Sequence, residues 1–423
     1  MICAILLSAG FAAYLGANVT VNVNDLVGIA LKNYLERELN SSFYLLQKPC
    51  SYIISMVGSY VCLQNGTSGK LELYDTNATN IWQNGLSSSN GKTIYAKAAT
   101  YQLGDYGLIL PESIEIIGEN RVTFNYTGDD WAIKTNNTGL DIGKANIKNI
   151  NVNIDGSEIA GCKGGILLAN MTSGFLESVS VSGGGSPSGT TAGIKIADIG
   201  GNKVTLLNCE VGGFDKGYWV TADWVMLQKC NDYTSNTGFY VDNNNAAGTR
   251  PIETSFLDCS AYHPDYCGFN ISYASEFSLI QCAYEGENGN DATAFAISDS
   301  GDSNVRGYFA YPTFHDADPQ VFYDFSVTYG VTLTIPCNLE HFNIENCGET
   351  IVAHNEWVSH GLGDTPYSVI VSSATATYGT PAEPVIVSVK DWNATKFKVG
   401  VYWSNGTYIT DDAIDILWYG RIF

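Results

Sequence analysis

The chain has 423 residues, 43 of them acidic and 21 basic, for a net charge of −22, yet only 15% are charged while 45% are hydrophobic and 12% aromatic. Such a composition is too apolar for a disordered acidic chain and ample for a large core. It argues against a nucleic-acid partner, because neutralising phosphates needs clustered Lys and Arg and the chain has five Arg.

Residues 1–17, MICAILLSAGFAAYLGA, are uncharged, apolar or small, and end in Gly16-Ala17. They are short for a membrane span. Two readings stand open: a signal peptide without the usual basic n-region, or a retained hydrophobic helix that touches a membrane or packs inside an assembly. Residues 18–48 read as a connector, with a short strand VTVNV and then an amphipathic helix, DLVGIALKNYLEREL. Asp25 would be its N-cap or a first-turn acid.

From Pro49 helical patterns almost vanish, and short β-branched and aromatic runs alternate with Gly and Asn. Four segments repeat one order: VTLLNCEVGGFDKGYWV, VMLQKCNDYTSNTGFYV, SFLDCSAYHPDYCGFNI and SLIQCAYEGENGNDATAFAI. Each is a strand ending in Cys (Cys209, Cys230, Cys259, Cys282), then a polar turn, then Gly or Ala before an aromatic residue and another strand. An antiparallel array would reverse its apolar phase at each return. Constant order is what a parallel solenoid needs. Residues 49–360 would give on the order of 12 coils and ~60 Å of rod, with Val, Ile, Leu and Phe inside and Gly at corners needing positive φ.

Apart from Cys3, ten cysteines remain, an even set suited to an oxidising compartment. The disulfide candidates are Cys50, Cys62, Cys209, Cys230, Cys259, Cys267, Cys282, Cys337 and Cys347. Cys50 and Cys62 would pair across the first turn, and Cys259 has Cys267 as a near rival. The stacked column allows either disulfides such as Cys209–Cys230 or a ladder of buried thiols. No CxxC and no His at ligand spacing argue for a metal or any cofactor. Sequons at Asn18, Asn40, Asn65, Asn77, Asn125, Asn136, Asn170, Asn270, Asn393 and Asn405 favour a glycosylated, extracellular surface.

The stretch from Tyr52 to Leu103, with Asn65-Gly-Thr-Ser-Gly, Asp75-Thr-Asn-Ala-Thr and the strand end Lys97–Tyr101, is followed by the Leu110-Pro-Glu to Gly118 corner. It resembles the first coils of pectin-lyase-like right-handed parallel β-helix proteins, above all those on surfaces of archaea and archaeal viruses. The resemblance implies an all-β fold: a right-handed parallel β-helix after a short N-terminal helical segment. It does not imply an activity, since that fold hosts many. Residues 361–423 differ, with alternating strands and turn signals at Tyr378-Gly379, Asp391 to Thr395 and Ser404-Asn405-Gly406, and read as a C-terminal antiparallel β-sandwich. Trp392, Trp403 and Trp418 there are candidate ligand-binding residues, or core.

Glycan cleavage would need paired carboxylates at a set separation. Asp232, Asp258 and Glu285 are the candidates, if adjacent coils bring them to one face. The residues and the resemblance together favour a non-enzymatic extracellular or virion-surface attachment rod with a surface glycan or protein receptor as partner, and the resemblance implies a homo-oligomer, a trimer or filament. A filament subunit and a polysaccharide lyase or hydrolase are the alternatives.

Overall fold

The computed structural model describes residues 23–43, 50–89, 91–135, 142–154, 162–169, 171–183, 191–197, 203–242, 253–272, 274, 276–286, 292–298, 305–315, 321–324, 331–334, 345–352, 357–359, 368–373, 377–378, 383–392, 396–403 and 414–421. Residues 1–17, and the choice between signal and retained helix, lie outside them. Two compact units form, one reaching Asp324 and taking in Thr328–Thr334, the other made of Phe325–Val327 and Ile335–Phe423.

Helix α1 (Val23–Phe43) opens the first unit and places Asp25 in its first turn; of the expected strand VTVNV, Val23 is helical and the rest lies outside the described residues. Leu35 and Leu39, four apart on one face, pack with Cys62 and Leu71. Strands Tyr52–Val57 and Tyr60–Asn65 form an antiparallel hairpin turning at Gly58, φ +62°. Its register sets Cys62 opposite Ser55, five positions along from Cys50. At ~3.4 Å per residue that is ~17 Å, far beyond disulfide reach, so the expected Cys50–Cys62 pair does not form. Both are free thiols.

A second helix, α2 (Ala78–Ser87), is the exception, among the described residues, to the near absence of helices expected after Pro49. Asn77 caps it, its side chain accepting from the Asn80 amide. Ile81, Trp82, Gly85 and Leu86 are its buried stripe. Trp82 meets Tyr101 and Phe124 edge-on, at 5.5 and 4.8 Å between centroids.

The coils then stack. One wall is a nine-stranded sheet from Leu108–Leu110 to Val321–Asp324, in which all pairings are parallel. A second wall includes Met171–Glu177, Lys203–Leu207, Val225–Gln228, Thr254–Leu257, Glu276–Ile280 and Val305–Ala310. The third has Ser180–Gly183, Glu210–Gly212, Asn231–Tyr233, Ser260–Tyr262, Ala283–Glu285 and Thr313–His315. These too pair in parallel from coil to coil. The parallel β-helix is therefore the fold of this unit. The second wall, followed from Tyr52–Val57 to Val331–Thr334, has eleven strands in successive parallel pairing, which at ~4.8 Å span on the order of 50 Å, a little short of the expected rod.

The repeated aromatic residues stack inside. Tyr218, Phe239, Phe269 and Phe295 share one register, with successive centroids 4.8, 4.5 and 5.0 Å apart and planes within 14°. The small residue before each faces the third wall, whose short strands send one side chain inward. A Cβ at Gly217 would strike Asp232, and one at Gly268 would strike Tyr284. The Gly-aromatic pair thus records a narrow cross-section.

In the second unit, Ile414–Arg421 pairs antiparallel with Glu345–Val352 and Ser368–Ser373, and Lys396–Trp403 pairs antiparallel with Trp357–Ser359 and Glu383–Trp392. Glu383–Trp392 ends and Lys396–Trp403 begins on either side of the expected turn at Asp391 to Thr395, whose residues 393–395 lie outside the described residues. Phe397, Val399 and Val401 are buried at alternate positions. Glu345–Val352, read from sequence as coil, belongs here because Ile414–Arg421 completes its hydrogen bonding.

Replacing Phe239 by Ala removes the middle of the aromatic stack and is expected to destabilise the first unit by about 3–5 kcal/mol. Guanidinium unfolding followed by Trp fluorescence measures it; a loss under 1 kcal/mol would mean the stack is not packed as described.

Candidate ligand-binding groove

The corner between the second and third walls is built the same way in coil after coil. Asn149, Ser178, Asn208, Lys229, Asp258, Gln281 and Tyr311 all take positive φ, between 52° and 56°. The expected corner glycines are absent here. Left-handed backbone costs a non-glycine residue roughly 1 kcal/mol or more, least for Asn and Asp. Unbroken coil-to-coil hydrogen bonds offset that cost: the Asn208 amide donates to Gln228 O and the Asn231 amide to Cys209 O, at 3.0 and 2.9 Å.

The next residue turns inward. In four coils it is Cys209, Cys230, Cys259 or Cys282, each a buried free thiol. Cys230 Sγ donates to Leu206 O and Gln228 O at 3.6 and 3.5 Å, and its neighbours repeat the pattern. Of the two arrangements open from sequence, the structure shows the thiol ladder. In-register side chains run parallel, which leaves Cβ atoms about 4.8 Å apart, wider than a disulfide allows. Cys267 sits on the nine-stranded wall, its Sγ 3.4 Å from Phe269 O, outside the ladder. Cys337 lies outside the described residues, as does the side chain of Cys347.

Outside the same corner, Asn208, Glu210, Lys229, Asn231, Asp258, Ser260 and Tyr262 line a groove of about 410 Å³. They form in-register columns, Glu210–Asn231–Ser260 beside Asn208–Lys229–Asp258. Among the described residues, no hydrogen bond or ion pair engages the side chains of Asn208, Glu210, Lys229, Asp258 or Ser260. Earlier coils differ: Asn153 donates to Asn125 Oδ1 and Ser182 to Asn153 Oδ1, closing the face on itself. Beyond the groove Tyr233 stacks on Tyr262 at 4.9 Å and 8°. Its other face looks over Gly212, which has no side chain to cover it.

The three expected carboxylates do not converge. Asp258 stands in the groove. Glu285 is on the outer face, 3.8 Å from His263 Nε2. Asp232, the middle of a three-residue strand, points inward, and its partners in register are Val211 and Ala261. It is fully buried; Ser235 Oγ donates to its Oδ1 at 2.6 Å, while Oδ2 has no partner. Burial pushes its carboxyl up to about 8 against the hydrogen bonds from Ser235. Glu210, missed in the sequence, shares the groove with Asp258 from two coils away, roughly 10 Å along the axis.

Trp392, Trp403 and Trp418 lie on strands of the second unit, with side chains outside the described residues. Among the sequons, Asn77 is exposed, and Asn65 Nδ2 donates to Glu72 at 2.9 Å. Asn125 and Asn270 are partly exposed. Asn18, Asn136, Asn170, Asn393 and Asn405, and the side chain of Asn40, are outside the described residues.

No protein-family profile and no curated protein matches the chain. Solved structures similar to it include the tailspike protein gp49 of Pseudomonas phage LKA1, at 11% identity and TM-score 0.28 over 78% of this chain and 68% of that one. The tailspike gp61 of Pseudomonas phage phi297 gives 10%, 0.27, 75% and 67%. ORF18 of Geobacillus virus E2 gives 10%, 0.35, 80% and 72%. The fold assignment rests on the strand registers, and none of the three adds support for the archaeal tie that the resemblance implied.

Two outcomes are expected. Below about pH 8 folded Asp232 holds a proton that the unfolded chain releases above about pH 4. Stability should therefore fall as pH rises through that window, by up to about 1.4 kcal/mol per unit, and Asp232→Asn should flatten the slope in urea titrations. Alkylation after denaturation without reductant should label Cys209, Cys230, Cys259 and Cys282; recovery of a peptide linked through two of them would contradict the ladder.

Proposed function

We propose that the chain is a non-enzymatic attachment rod on the outside of a cell or virion, whose coil face binds a surface saccharide through the groove. The observation that carries this reading is the set of unpartnered polar side chains held in register by the parallel coils. Preset side chains lose little entropy on binding, which favours affinity from a modest contact area. Amides, a lysine, a hydroxyl and two carboxylates suit the hydroxyls of a sugar, and the open face of Tyr233 suits its apolar C–H face. A polymer laid along the axis would meet the same pair of columns in successive coils. The groove's excess of carboxylate over lysine favours neutral or amino sugars over acidic ones.

In this reading the second unit presents Trp392, Trp403 and Trp418 to a partner, the sequons carry glycans, and the rod works as a trimer or filament subunit. Residues 1–17 would supply a membrane or assembly contact. Glu210 and Asp258 keep the glycan-cleaving alternative concrete, because two carboxylates in one groove could serve as acid and base.

Binding to immobilised neutral, amino and acidic oligosaccharides tests the reading. The expected result is retention of neutral or amino forms, loss of about tenfold in affinity on Tyr233→Ala, and no new reducing ends on prolonged incubation. Retention of no saccharide would refute the attachment reading. Release of reducing ends that Glu210→Gln abolishes would establish the enzyme instead.

A further inference from the structure

Along the third wall the inward column runs Val181, Val211, Asp232, Ala261 and Tyr284, so that a carboxyl interrupts an otherwise apolar file. Its strand, Asn231–Tyr233, is only three residues long. The carboxyl therefore has a groove residue on either side: Asn231 lines the groove, and Tyr233, 40% exposed, is the ring beside it.

The groups that enclose Asp232 are neutral. A Cβ at Gly217 would strike its carboxyl and one at Gly238 would lie 3.3 Å from Oδ2, so the nine-stranded wall presents main chain to it. The same wall supplies Tyr218, whose hydroxyl donates to Cys209 O and Asn231 O at 2.8 and 3.1 Å. Burial, then Cys230, Cys209 and Asp232 itself, keep Tyr218 protonated well above the usual tyrosine range. Burial likewise pushes up the thiol of Cys230, next to the strand. Among the described residues no Lys, Arg or His acts on Asp232. Past the left-handed Thr234, φ +60°, Ser235 Oγ donates to Oδ1 at 2.6 Å and accepts from the Phe214 amide at 3.3 Å. A carboxylate with one hydroxyl donor and no cation is far costlier to bury than the neutral acid. In water the same group ionises above about pH 4.

We propose that Asp232 is a positioning residue for the groove, and that closing the strand Asn231–Tyr233 over the core takes up one proton at its carboxyl. Protonated Asp232 braces the strand to the corner through Ser235 and holds Asn231 and Tyr233 in register. Each opening of the strand releases that proton to water, so opening grows with pH for as long as the closed form holds the proton. Ligand binding is then strongest in acid and slackens toward alkaline pH, a regulation that rests on the groove being the saccharide site.

The first test reads the strand without any ligand. The full chain is labelled with a neutral maleimide between about pH 5.5 and 7.5, inside the window in which folded and unfolded Asp232 differ in protonation. Each thiol's rate is divided by that of a free cysteine peptide at the same pH. Cys282, buried in the same ladder, reports opening of the whole unit. The corrected Cys230 rate is expected to exceed that of Cys282 by about tenfold, and to rise about tenfold per pH unit. Asp232→Asn should abolish the rise. Ser235→Ala should speed Cys230 labelling while the rise persists. Equal rates at Cys230 and Cys282, or a flat profile in the native chain, would overturn the proposal whether or not the variants fold. A folded Asp232→Asn chain that keeps the rise, or a Ser235→Ala chain with unaltered labelling, would overturn it too.

The groove is read separately, by retention on an immobilised neutral oligosaccharide. Affinity is expected to weaken from about pH 6 to about pH 8 in the native chain and to stay constant in Asp232→Asn, because only the closed fraction binds. Retention independent of pH in the native chain would sever Asp232 from the groove. Retention at no pH would refute the saccharide reading, and the thiol profile would still decide whether Asp232 holds the strand.

Discussion

The backbone hydrogen bonds between successive coils are the constraint on which the rest depends. Because neighbouring strands run the same way in register, each side chain lies above its equivalent one coil away. A parallel ladder turns a local choice into a column. One aromatic per coil becomes a stack, one cysteine a file of thiols, and one left-handed corner a continuous edge. The cost of each corner is repeated at every coil, and so is the pair of main-chain bonds that offsets it.

The same geometry separates interior from surface within a few residues. At the corner, one residue points out and the next points in, so that Asn208 reaches solvent while Cys209 is fully buried. Outward columns therefore need no packing of their own to be fixed in space. Where their groups satisfy each other, as in Asn125, Asn153 and Ser182, the face is closed. Where, among the described residues, they do not, as in Asn208, Glu210 and Asp258, the face keeps hydrogen-bonding capacity unused. On the nine-stranded wall register sets Lys195 against Trp219, and Lys216, from the same strand as Trp219, reaches that ring as well.

Much of this fold was legible in the residues. The fixed order of strand, Cys, turn, small residue and aromatic already required parallel coils, and Gly217-Tyr218, Gly238-Phe239 and Gly268-Phe269 mark positions that stack. The corners were not legible, because left-handed backbone at Ser178, Lys229 or Gln281 is imposed by coil-to-coil bonding and no local propensity announces it. Asp232 misled for a related reason. Three residues are too few for alternation to tell inside from outside, and its burial shows only against Gly217 and Gly238 of neighbouring strands. Helix α2 did carry a signal, with Asn77 as cap and apolar residues at helical spacing, but strand-like flanks hid it. The groove needed the structure, since its lining comes from three coils some fifty residues apart in sequence.

Distances between outward positions on the second wall test parallel winding most directly. Thr205, Met226, Ser255, Ser278 and Tyr308 share one register through five coils. Nitroxide amino acids placed at Thr205 and, in turn, at Ser255, Ser278 or Tyr308 should give separations that grow in equal steps of ~4.8 Å. Separations that fall, or alternate between long and short, would mean that neighbouring strands do not run the same way, and the columns would not exist.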